Sequence, residues 1–420
     1  MKVLIIAYAC EPDKGSEAGT AWNIVNRMAR DHEVSVVTRA NNEEKIVEAL
    51  ENVEGCRPHF YYVDPPSIFL KLKKMGVLSV QLFYVLWQVA VSVELWKQKV
   101  IRNFDICHHL TFNSFEVPSM VAYSSSVKKF VWGPIGGGQR VPLRYLHLFG
   151  WRNGFLEFLR NIRVRLSAFN PFCILALARA DLVYFANQET RQLLARWCRG
   201  EVRMMVDVGV DVQKFGQPGV REDAMILRGI PNILFAGIIE PRKGLSFLLR
   251  VLNLLKKRGV QFQCHVVGFG SQMKKMNDMI CDLSLEDFVV LEGRVPHDRM
   301  CDVFKQADVF AFPSLRDTSG TIVMEAMAME IPTVCFDHQG SALMVNDESG
   351  IKVSLADVKT MVCEWADNIE KLLGQPELCR EMGGEARSRV IAEYDWVVRV
   401  EKTIQGYESI KESVNRQFDR

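Results

Sequence analysis

The stretch FPSLRDTSGTIVMEAMAMEIPTVCFDHQG, residues 312–340, carries the pattern from which the fold is predicted. Residues 307–312 (ADVFAF) are apolar and predict a short buried strand. A polar loop at 315–320 separates this strand from a run of good helix formers at 322–329. Residues 331–336 (IPTVCF) then predict the next parallel strand. Strand, loop, helix and parallel strand in this order predict an α/β fold. The helix begins just beyond the carboxyl end of the first strand, so the free backbone N–H groups of its first turn and of the loop form a predicted anion-binding site.

Two carboxylates, Asp317 and Glu325, lie eight residues apart in this stretch. Asp317 falls in the loop, whereas Glu325 falls in a helix whose neighbouring side chains are apolar. A carboxylate in a buried helix is costly unless another group bonds to it, and the vicinal hydroxyls of a ribose are suitable partners. The alternative interpretation is an ordinary strand and helix without a ligand.

The stretch resembles the nucleotide-sugar loop of the retaining glycosyltransferases of family 4. The residues that match the family pattern are Pro313, Ser314, Asp317, Gly320, Glu325 and Ala326. The sequence also departs from that pattern. Asp317 replaces the first Glu of the family, Thr318 and Ser319 replace Gly-Phe, and Leu343 stands where a later Glu would fall.

The resemblance implies an α/β fold of the GT-B class, with two facing Rossmann-like domains, a deep cleft between them and a C-terminal helix that crosses back to the first. The 420 residues suffice for two domains. We expect an acceptor-binding domain over residues 1–208, with its last strand at 180–186. A nucleotide-sugar-binding domain is expected over 209–390 and the returning helix over 391–420. A polar linker, 216–229, is expected between the halves.

Composition is that of a globular protein, with 48% hydrophobic and 24% charged residues. A net charge of +2 gives no reason to expect a nucleic-acid partner. The 11 cysteines are scattered without a C-x-x-C pair, which favours a reducing compartment and argues against structural zinc. The apolar run in residues 1–10 is too short for a signal peptide. We therefore predict a cytoplasmic protein, with the inner face of the cytoplasmic membrane as an alternative location.

The beginning of the chain predicts a first strand at 3–7, a glycine-containing loop and a helix over 18–30, which is how a doubly wound domain opens. The loop contains Gly15, Ser16 and Glu17, and it resembles a G-S-E-x-G variety of the glycine loop of the family. In the family this loop approaches the donor phosphate and sugar, so these three residues are candidate donor-binding residues. The alternative is a simple turn.

Residues 105–110 (DICHHL) predict a strand that ends near His108 and His109. In the family an Asp-x-x-His pattern, matched here by Asp105 and His108, places a histidine against the transferred sugar. We expect one of the two histidines to face the crevice, and the sequence leaves open which one. The alternative is a structural histidine. The glycine run 133–138 (GPIGGG) is expected near the acceptor.

The strand–loop–helix pattern recurs at 232–244 (NILFAGIIEPRKG), where Arg242 and Lys243 occupy the turn before the helix. Two adjacent cations in that position suit a diphosphate, and some family members carry the same Arg-Lys-Gly sequence. Solvated surface residues are the alternative. Further donor-binding residues implied by the resemblance are Gly237, Gly268, Arg294, Ser319, Gly320 and Thr321, with Arg294 close to the nucleobase.

The resemblance implies transfer of a hexosyl or N-acetylhexosaminyl group from a nucleotide-diphosphate sugar to a glycan or lipid-linked glycan, with retention of configuration. The expected pathway is polysaccharide, O-antigen, lipopolysaccharide or exopolysaccharide biosynthesis. The expected catalytic residues are His108, His109, Asp317, Arg242 and Lys243. The two cations and the N–H groups of residues 319–321 would stabilise the leaving diphosphate. Asp317 would contact the sugar, and Glu325 would hold the ribose.

The sequence contains no Asp-x-Asp motif, so we expect neither a metal nor a cofactor, and we favour a UDP-linked over a GDP-linked donor. Two other classes remain open. The first is a nucleotide-sugar epimerase or a phosphorylase of the same fold, although the lysine motif of a pyridoxal enzyme is absent from the sequence. The second is an inactive nucleotide-sugar-binding subunit.

Two segments raise the question of membrane contact. Segment 65–103 contains eighteen uncharged residues at 76–93, which is long enough for a transmembrane helix. The strands on both sides must share one sheet, however, so a core helix or a helix at a membrane surface is preferred. Segment 139–170 is basic and aromatic, with six Arg and one Glu in 140–165. It suggests a peripheral membrane surface or a cover over a lipid-linked acceptor, and a solvated helical insertion is the alternative.

Overall fold

The computed structural model describes residues 1–12, 14–53, 55–112, 114–215 and 229–418, and these form two compact units. Unit 1 comprises Met1–Gln139, Ile162–Val208 and the chain from Trp396 onward, and unit 2 comprises Arg140–Asn161 and Gly209–Asp395. The linker expected at 216–229 lies, apart from Gly229, outside the described residues.

Unit 1 contains a parallel sheet of seven strands. They are β1 (Lys2–Ile6), β2 (Glu33–Thr38), β3 (His59–Tyr62), β4 (Ile106–His109), β5 (Phe130–Ile135), β6 (Leu182–Phe185) and β7 (Glu201–Met204). Their order is β3-β2-β1-β4-β5-β6-β7, with Val3 of β1 paired to Val34 on one side and Ile106 on the other. The order reverses between β1 and β4, which defines a doubly wound sheet.

The helices up to the end of this sheet are α1 (Ser16–Met28), α2 (Glu43–Glu51), α3 (Ser67–Lys74), α4 (Val80–Gln98), α5 (Trp151–Ser167), α6 (Pro171–Arg179) and α7 (Gln188–Leu194). The uncharged residues 80–93 form most of α4, which packs Tyr84, Trp87 and Val91 against Leu4 and Ile6 of β1. In the part of the chain that the structure describes, no helix is both long enough and apolar enough to cross a membrane.

Unit 2 contains a six-stranded parallel sheet in the order β10-β9-β8-β11-β12-β13. Its strands are β8 (Asn232–Ala236), β9 (Gln263–Val267), β10 (Val289–Gly293), β11 (Val309–Phe312), β12 (Thr333–Phe336) and β13 (Gly350–Val353). Its helices are α8 (Leu245–Lys257), α9 (Met273–Asp282), α10 (Met300–Gln306), α11 (Thr321–Ala328), α12 (Gln339–Met344), α13 (Val358–Gly374) and α14 (Pro376–Glu393). The strand, loop and helix predicted from residues 307–336 are confirmed.

The last helix, α15 (Trp396–Phe418), belongs to unit 1. Its side chains Trp396, Val400, Tyr407 and Ile410 share a core with residues of α1 and the sheet, including Ile24. This burial explains why the final helix leaves the second sheet and completes the first unit.

The observed units differ from the expected domains at residues 140–161, which pack with unit 2. Tyr145 and Phe149 join its apolar core, and the Tyr145 hydroxyl donates to the Ala356 carbonyl at 2.7 Å. Arg316 also pairs with the buried Glu157 at 2.8 Å. These partners are distant in sequence, so local composition could not reveal them.

The expectation that 180–186 holds the last strand of the first domain was wrong, because β7 follows it at the sheet edge. Glu201 and Arg203 are charged and the strand is only partly buried, so it lacks the apolar run by which the other strands were predicted.

Candidate functional site

The strand order of unit 2 reverses between β8 and β11, and the loops that follow these two strands pack together. Ligands of doubly wound sheets bind at such a reversal, beyond the carboxyl ends of the strands. The Leu315 N–H donates to the Arg242 carbonyl at 2.9 Å. Gly244 has a φ of +77°, and a Cβ there would lie 2.0 Å from the carbonyl oxygen of Pro313. Only glycine therefore permits this approach of the two loops.

Lys243 and Asp317 form an ion pair between the two loops, in which Nζ donates to Oδ2. The two side chains are only 12% and 16% exposed. The Lys243 ammonium also lies 5.3 Å from the centre of the Phe312 ring, in a cation–π contact. Both charged residues were predicted from the sequence with separate roles, but their pairing was not predicted.

Arg242, the second predicted cation, is held within the same pair of loops. Its Nε donates to Glu240 at 2.8 Å, and its guanidinium donates to the Arg316 carbonyl at 3.2 Å. Glu240 was not among the predicted site residues, although its position two residues before Arg242 offered a signal. Both cations thus have a carboxylate partner within the protein.

The loop that contains the predicted residues Ser319, Gly320 and Thr321 leads directly into α11, which begins at Thr321. The side chain of Gln339, at the start of α12, fixes this loop by accepting a hydrogen bond from the Asp317 N–H at 2.8 Å. Close packing of Gly340 holds it further, since a Cβ there would lie 2.1 Å from the Thr318 carbonyl oxygen. Neither Gln339 nor Gly340 was among the predicted site residues.

Glu325 is buried on α11, as predicted, and its carboxylate accepts a hydrogen bond from His297 Nε2 at 3.2 Å. The His297 side chain is exposed, and its hydrogen bond to Glu325 raises the pKa of the imidazole. The sequence argument that this carboxylate requires a partner holds, but the partner in the protein alone is a histidine rather than a ribose. His297 was missed because it lies 28 residues before Glu325.

The three remaining candidates of this unit lie along the ends of neighbouring strands. Gly237 follows β8 and donates its N–H to the Val267 carbonyl at 3.0 Å, and Gly268 follows β9 and donates to the Gly293 carbonyl at 2.7 Å. Arg294 follows β10 and lines a pocket of about 320 Å³. The charged or polar residues His265, Glu292, Arg299 and Asp302 also line this pocket, together with apolar residues such as Leu234 and Val303.

The first-unit candidates Gly15, Ser16 and Glu17 lie where the loop after β1 enters α1. Gly15 precedes the helix, Ser16 is its first residue, and Glu17 lies in its first turn. An acidic side chain in this position suits the positive end of the helix dipole. The binding of the donor by these three residues stays a prediction.

The two histidines do not face a crevice. His108 accepts from the Tyr407 hydroxyl at 2.6 Å through Nδ1 and donates to the Gly133 carbonyl at 2.7 Å through Nε2. His109 bonds Tyr84 and Ser119 at 2.6 and 2.7 Å. Burial lowers the pKa of His108 to about 4 and that of His109 to about 3, so both are neutral at physiological pH. The structure therefore gives both rings a structural role in place of the expected contact with a sugar.

Comparison with known proteins finds a family match within the second unit. Residues 226–389 match the family model described as glycosyl transferases group 1. A D-inositol 3-phosphate glycosyltransferase of Nocardia farcinica is 28% identical over 247 residues, which is 55% of this chain and 53% of that protein. A putative colanic acid biosynthesis glycosyltransferase, WcaL of Salmonella typhimurium, is 27% identical over 210 residues, which is 48% of this chain and 51% of that protein. The chain thus spans about half the length of the curated relatives it matches.

The solved structures extend the likeness to both units. The Anabaena protein Alr3699/HepE, crystallised with UDP, aligns with a TM-score of 0.65 over 97% of this chain and 100% of its own, at 17% identity. At this level of identity the likeness concerns the fold. It confirms the expected α/β architecture of two Rossmann-like units of the GT-B class.

Proposed function

We propose that this chain is a retaining glycosyltransferase of family 4 that uses a nucleotide-diphosphate sugar, because residues 226–389 match the family model described as glycosyl transferases group 1. The single observation that carries the proposal is the ion pair of Lys243 and Asp317 at the reversal of the second sheet. The pair keeps a cation, which can bind the diphosphate, next to a carboxylate, which can bind the hydroxyls of the sugar.

The first part of the proposed mechanism concerns the leaving group. Breaking the bond from the anomeric carbon to the phosphate concentrates negative charge on the diphosphate. Lys243, Arg242 and the N–H groups of residues 319–321 stabilise that charge, because they are fixed before the reaction begins. With two cations in place the reaction requires no metal ion and no cofactor.

The second part concerns the sugar and the ribose. When the diphosphate binds, the ammonium of Lys243 exchanges Asp317 for a phosphate oxygen, and the freed carboxylate accepts hydrogen bonds from hydroxyls of the transferred sugar. The buried carboxylate of Glu325 accepts from the ribose hydroxyls in place of His297. We assign no covalent nucleophile, and retention follows from attack on the face from which the diphosphate leaves.

The acceptor is proposed to be a glycan or lipid-linked glycan of bacterial polysaccharide biosynthesis, bound by the first unit. The names of the relatives support this class, since they include colanic acid and amylovoran biosynthesis enzymes. We also propose a UDP-linked donor. UDP is the nucleotide named in the Anabaena structure.

We further propose that the protein lies in the cytoplasm and makes peripheral contact with the inner face of the membrane through segments 65–103 and 139–170. Helix α5 supports the second segment, because its exposed side is apolar instead of polar. The exposed apolar residues are Trp151, Phe155, Leu156, Phe158, Leu159, Ile162 and Leu166, with Arg152, Arg163 and Arg165 beside them. This combination is typical of a helix that lies in a membrane interface.

The experiment that tests the function measures the melting temperature with UDP, GDP, ADP or dTDP, each with and without Mg²⁺. We expect a selective increase with UDP that does not depend on Mg²⁺, because the cations are part of the protein. No increase with any nucleotide would contradict the proposal. Incubation with the UDP-sugar that binds then distinguishes the alternatives. An epimerase converts it without an acceptor, a transferase requires an acceptor, and an inactive subunit binds without turnover.

A further inference from the structure

Helix α4 has two apolar sides, of which only one is covered. Its inner side packs on the sheet of unit 1. The residues Leu82, Val89, Val93 and Trp96 are all exposed, and Trp96 reaches 78%. Their spacing of seven, four and three places them on one stripe of the helix surface. Single exposed apolar residues are ordinary, but a continuous stripe of them indicates an interaction surface.

Three residues of this stripe, Val89, Val93 and Trp96, line a groove of about 770 Å³. Residues of the segment after β4 also line the groove, among them Met120 and Tyr123. The volume is in the range of sites that hold a ligand of substantial size. The groove therefore has an apolar interior that is open to the surface.

The end of the groove at the C-terminus of α4 is positively charged. Lys97, Lys99 and Arg102 line it, and Arg102 Nε donates to Ser126 Oγ at 3.1 Å across the groove. Among the described residues that line the groove there is no Asp or Glu. The cations are therefore not neutralised by an acidic residue of the groove wall, and they suit an anionic group next to an apolar one.

The apolar surface continues from the groove onto α6. The Tyr123 hydroxyl donates to the Phe172 carbonyl at 2.7 Å, and the two rings are 6.4 Å apart. The Phe172 side chain is 63% exposed, and Leu175 one turn further is exposed as well. We call the surface of Val89, Val93, Trp96, Tyr123, Phe172 and Leu175 the α4–α6 face. All of its residues belong to unit 1.

We propose that the α4–α6 face docks on an anionic phospholipid bilayer, with the groove holding the apolar part of one lipid and its cations contacting the headgroup phosphates. The apolar side chains beside basic residues match the two layers of a bilayer surface, in which acyl chains lie directly below anionic headgroups. Lys97 and Lys99 can reach the phosphates while their aliphatic stems cover apolar surface. This inference rests on the proposed membrane contact and does not depend on the transfer reaction.

Sedimentation of the full chain with lipid vesicles tests the proposal. The vesicles consist of phosphatidylcholine alone or of phosphatidylcholine mixed with phosphatidylglycerol. We expect binding to the mixed vesicles only, and release by salt. The double variant Lys97→Glu/Lys99→Glu should bind about thirtyfold more weakly or worse, given the attraction that each basic residue contributes near such a surface. Trp96→Ser/Phe172→Ser should lose binding to a similar extent.

Matched controls separate the groove from other causes. Lys274→Glu/Lys275→Glu makes the same charge change on exposed positions of α9 and should bind as the wild type. Trp151→Ser/Phe155→Ser tests α5 independently. If the α5 variant loses vesicle binding and the groove variants keep it, the protein does contact membranes, but through α5. That result would overturn the proposal that the groove is the contact site. Groove variants that remain folded and bind the mixed vesicles as tightly as the wild type would also overturn the proposal. So would groove variants whose oligomeric state changes in light scattering while their vesicle binding does not.

Discussion

The ammonium of Lys243 donates a hydrogen bond to the carboxylate of Asp317, and this contact joins residues 74 positions apart in the sequence. It links the loop after β8 to the loop after β11, at the reversal of the strand order where a doubly wound sheet binds its ligands. In the proposed reaction the pair separates, because Lys243 binds the donor diphosphate and Asp317 binds the transferred sugar.

Replacing Asp317 with Asn separates binding from catalysis. The variant should bind UDP at least as tightly as the wild type, because a negative charge next to the diphosphate is removed. Sugar transfer should slow by about tenfold to hundredfold, the usual effect of losing a hydrogen bond to a charged group. The nucleotide-free protein should lose about 1–3 kcal/mol of stability, since Lys243 loses its counter-charge. Calorimetry and UDP release measure these effects, and turnover equal to that of the wild type would remove Asp317 from the mechanism.

Glu325 should determine the preference for a ribose. UDP should bind about tenfold more tightly than 2′-deoxy-UDP, because the deoxy compound leaves a buried carboxylate without one of its donors. Glu325→Gln should reduce this ratio towards one. Binding constants for the two nucleotides and the two proteins give the result. A preference for UDP that survives in the variant would show that another residue recognises the ribose.

His108 should contribute to stability and not directly to catalysis. His108→Ala leaves the Tyr407 hydroxyl and the Gly133 carbonyl without a buried partner, so unfolding by urea should become easier by about 2–4 kcal/mol. If His108→Ala unfolds like the wild type but no longer transfers sugar, the predicted contact between His108 and the substrate would be supported instead.

The same burial predicts how stability depends on pH. The folded pKa values of His108 and His109, about 4 and about 3, lie below the ordinary value of 6.5. Between these values the unfolded chain binds more protons than the folded one, so stability should fall as pH decreases from about 6.5 towards 4. Because His108→Ala removes one of the two rings, the variant should show a shallower decrease in urea unfolding over this range. An equally steep decrease would indicate that other groups cause it.

Gly244 should be required for the approach of the two loops. In Gly244→Ala the new Cβ would meet the Pro313 carbonyl, and we expect a loss of about 2–4 kcal/mol together with weaker UDP binding. Gly259→Ala is a matched control, because its φ of +78° equals that of Gly244 within a degree but no atom lies within 4 Å of its Cβ. That control should lose about 1 kcal/mol from the left-handed backbone alone. Equal losses of stability in the two variants would contradict the steric argument.

The fold could be predicted because its signals are local. Apolar runs such as 307–312 mark the buried parallel strands, and the glycine-containing turns before Leu245 and Thr321 mark the helix starts. Strand β7 was missed because an edge strand is only half covered and carries Glu201 and Arg203. A continuous apolar run is expected only where both faces of a sheet are buried.

The sequence indicated which residues belong to the candidate site, but it did not indicate which of them contact each other. The loop positions of Lys243 and Asp317 and the burial of Glu325 were visible in the sequence, whereas the partner His297 was not. The role of His108 was misjudged because its partner Tyr407 lies 299 residues away on the final helix. Sequence patterns identify residue types near a strand end, but the direction of a side chain depends on what packs over it.

The central claim is that the second unit binds a nucleotide diphosphate through Lys243, and calorimetric titration of UDP tests it most directly. The measurement compares the wild type with Lys243→Ala and with Lys275→Ala, a change of the same kind at an exposed position of α9. We predict that Lys243→Ala binds UDP about tenfold to hundredfold more weakly, as expected for a lost charge-assisted hydrogen bond, and that Lys275→Ala binds as the wild type. A folded Lys243→Ala variant with wild-type affinity for UDP would contradict the account.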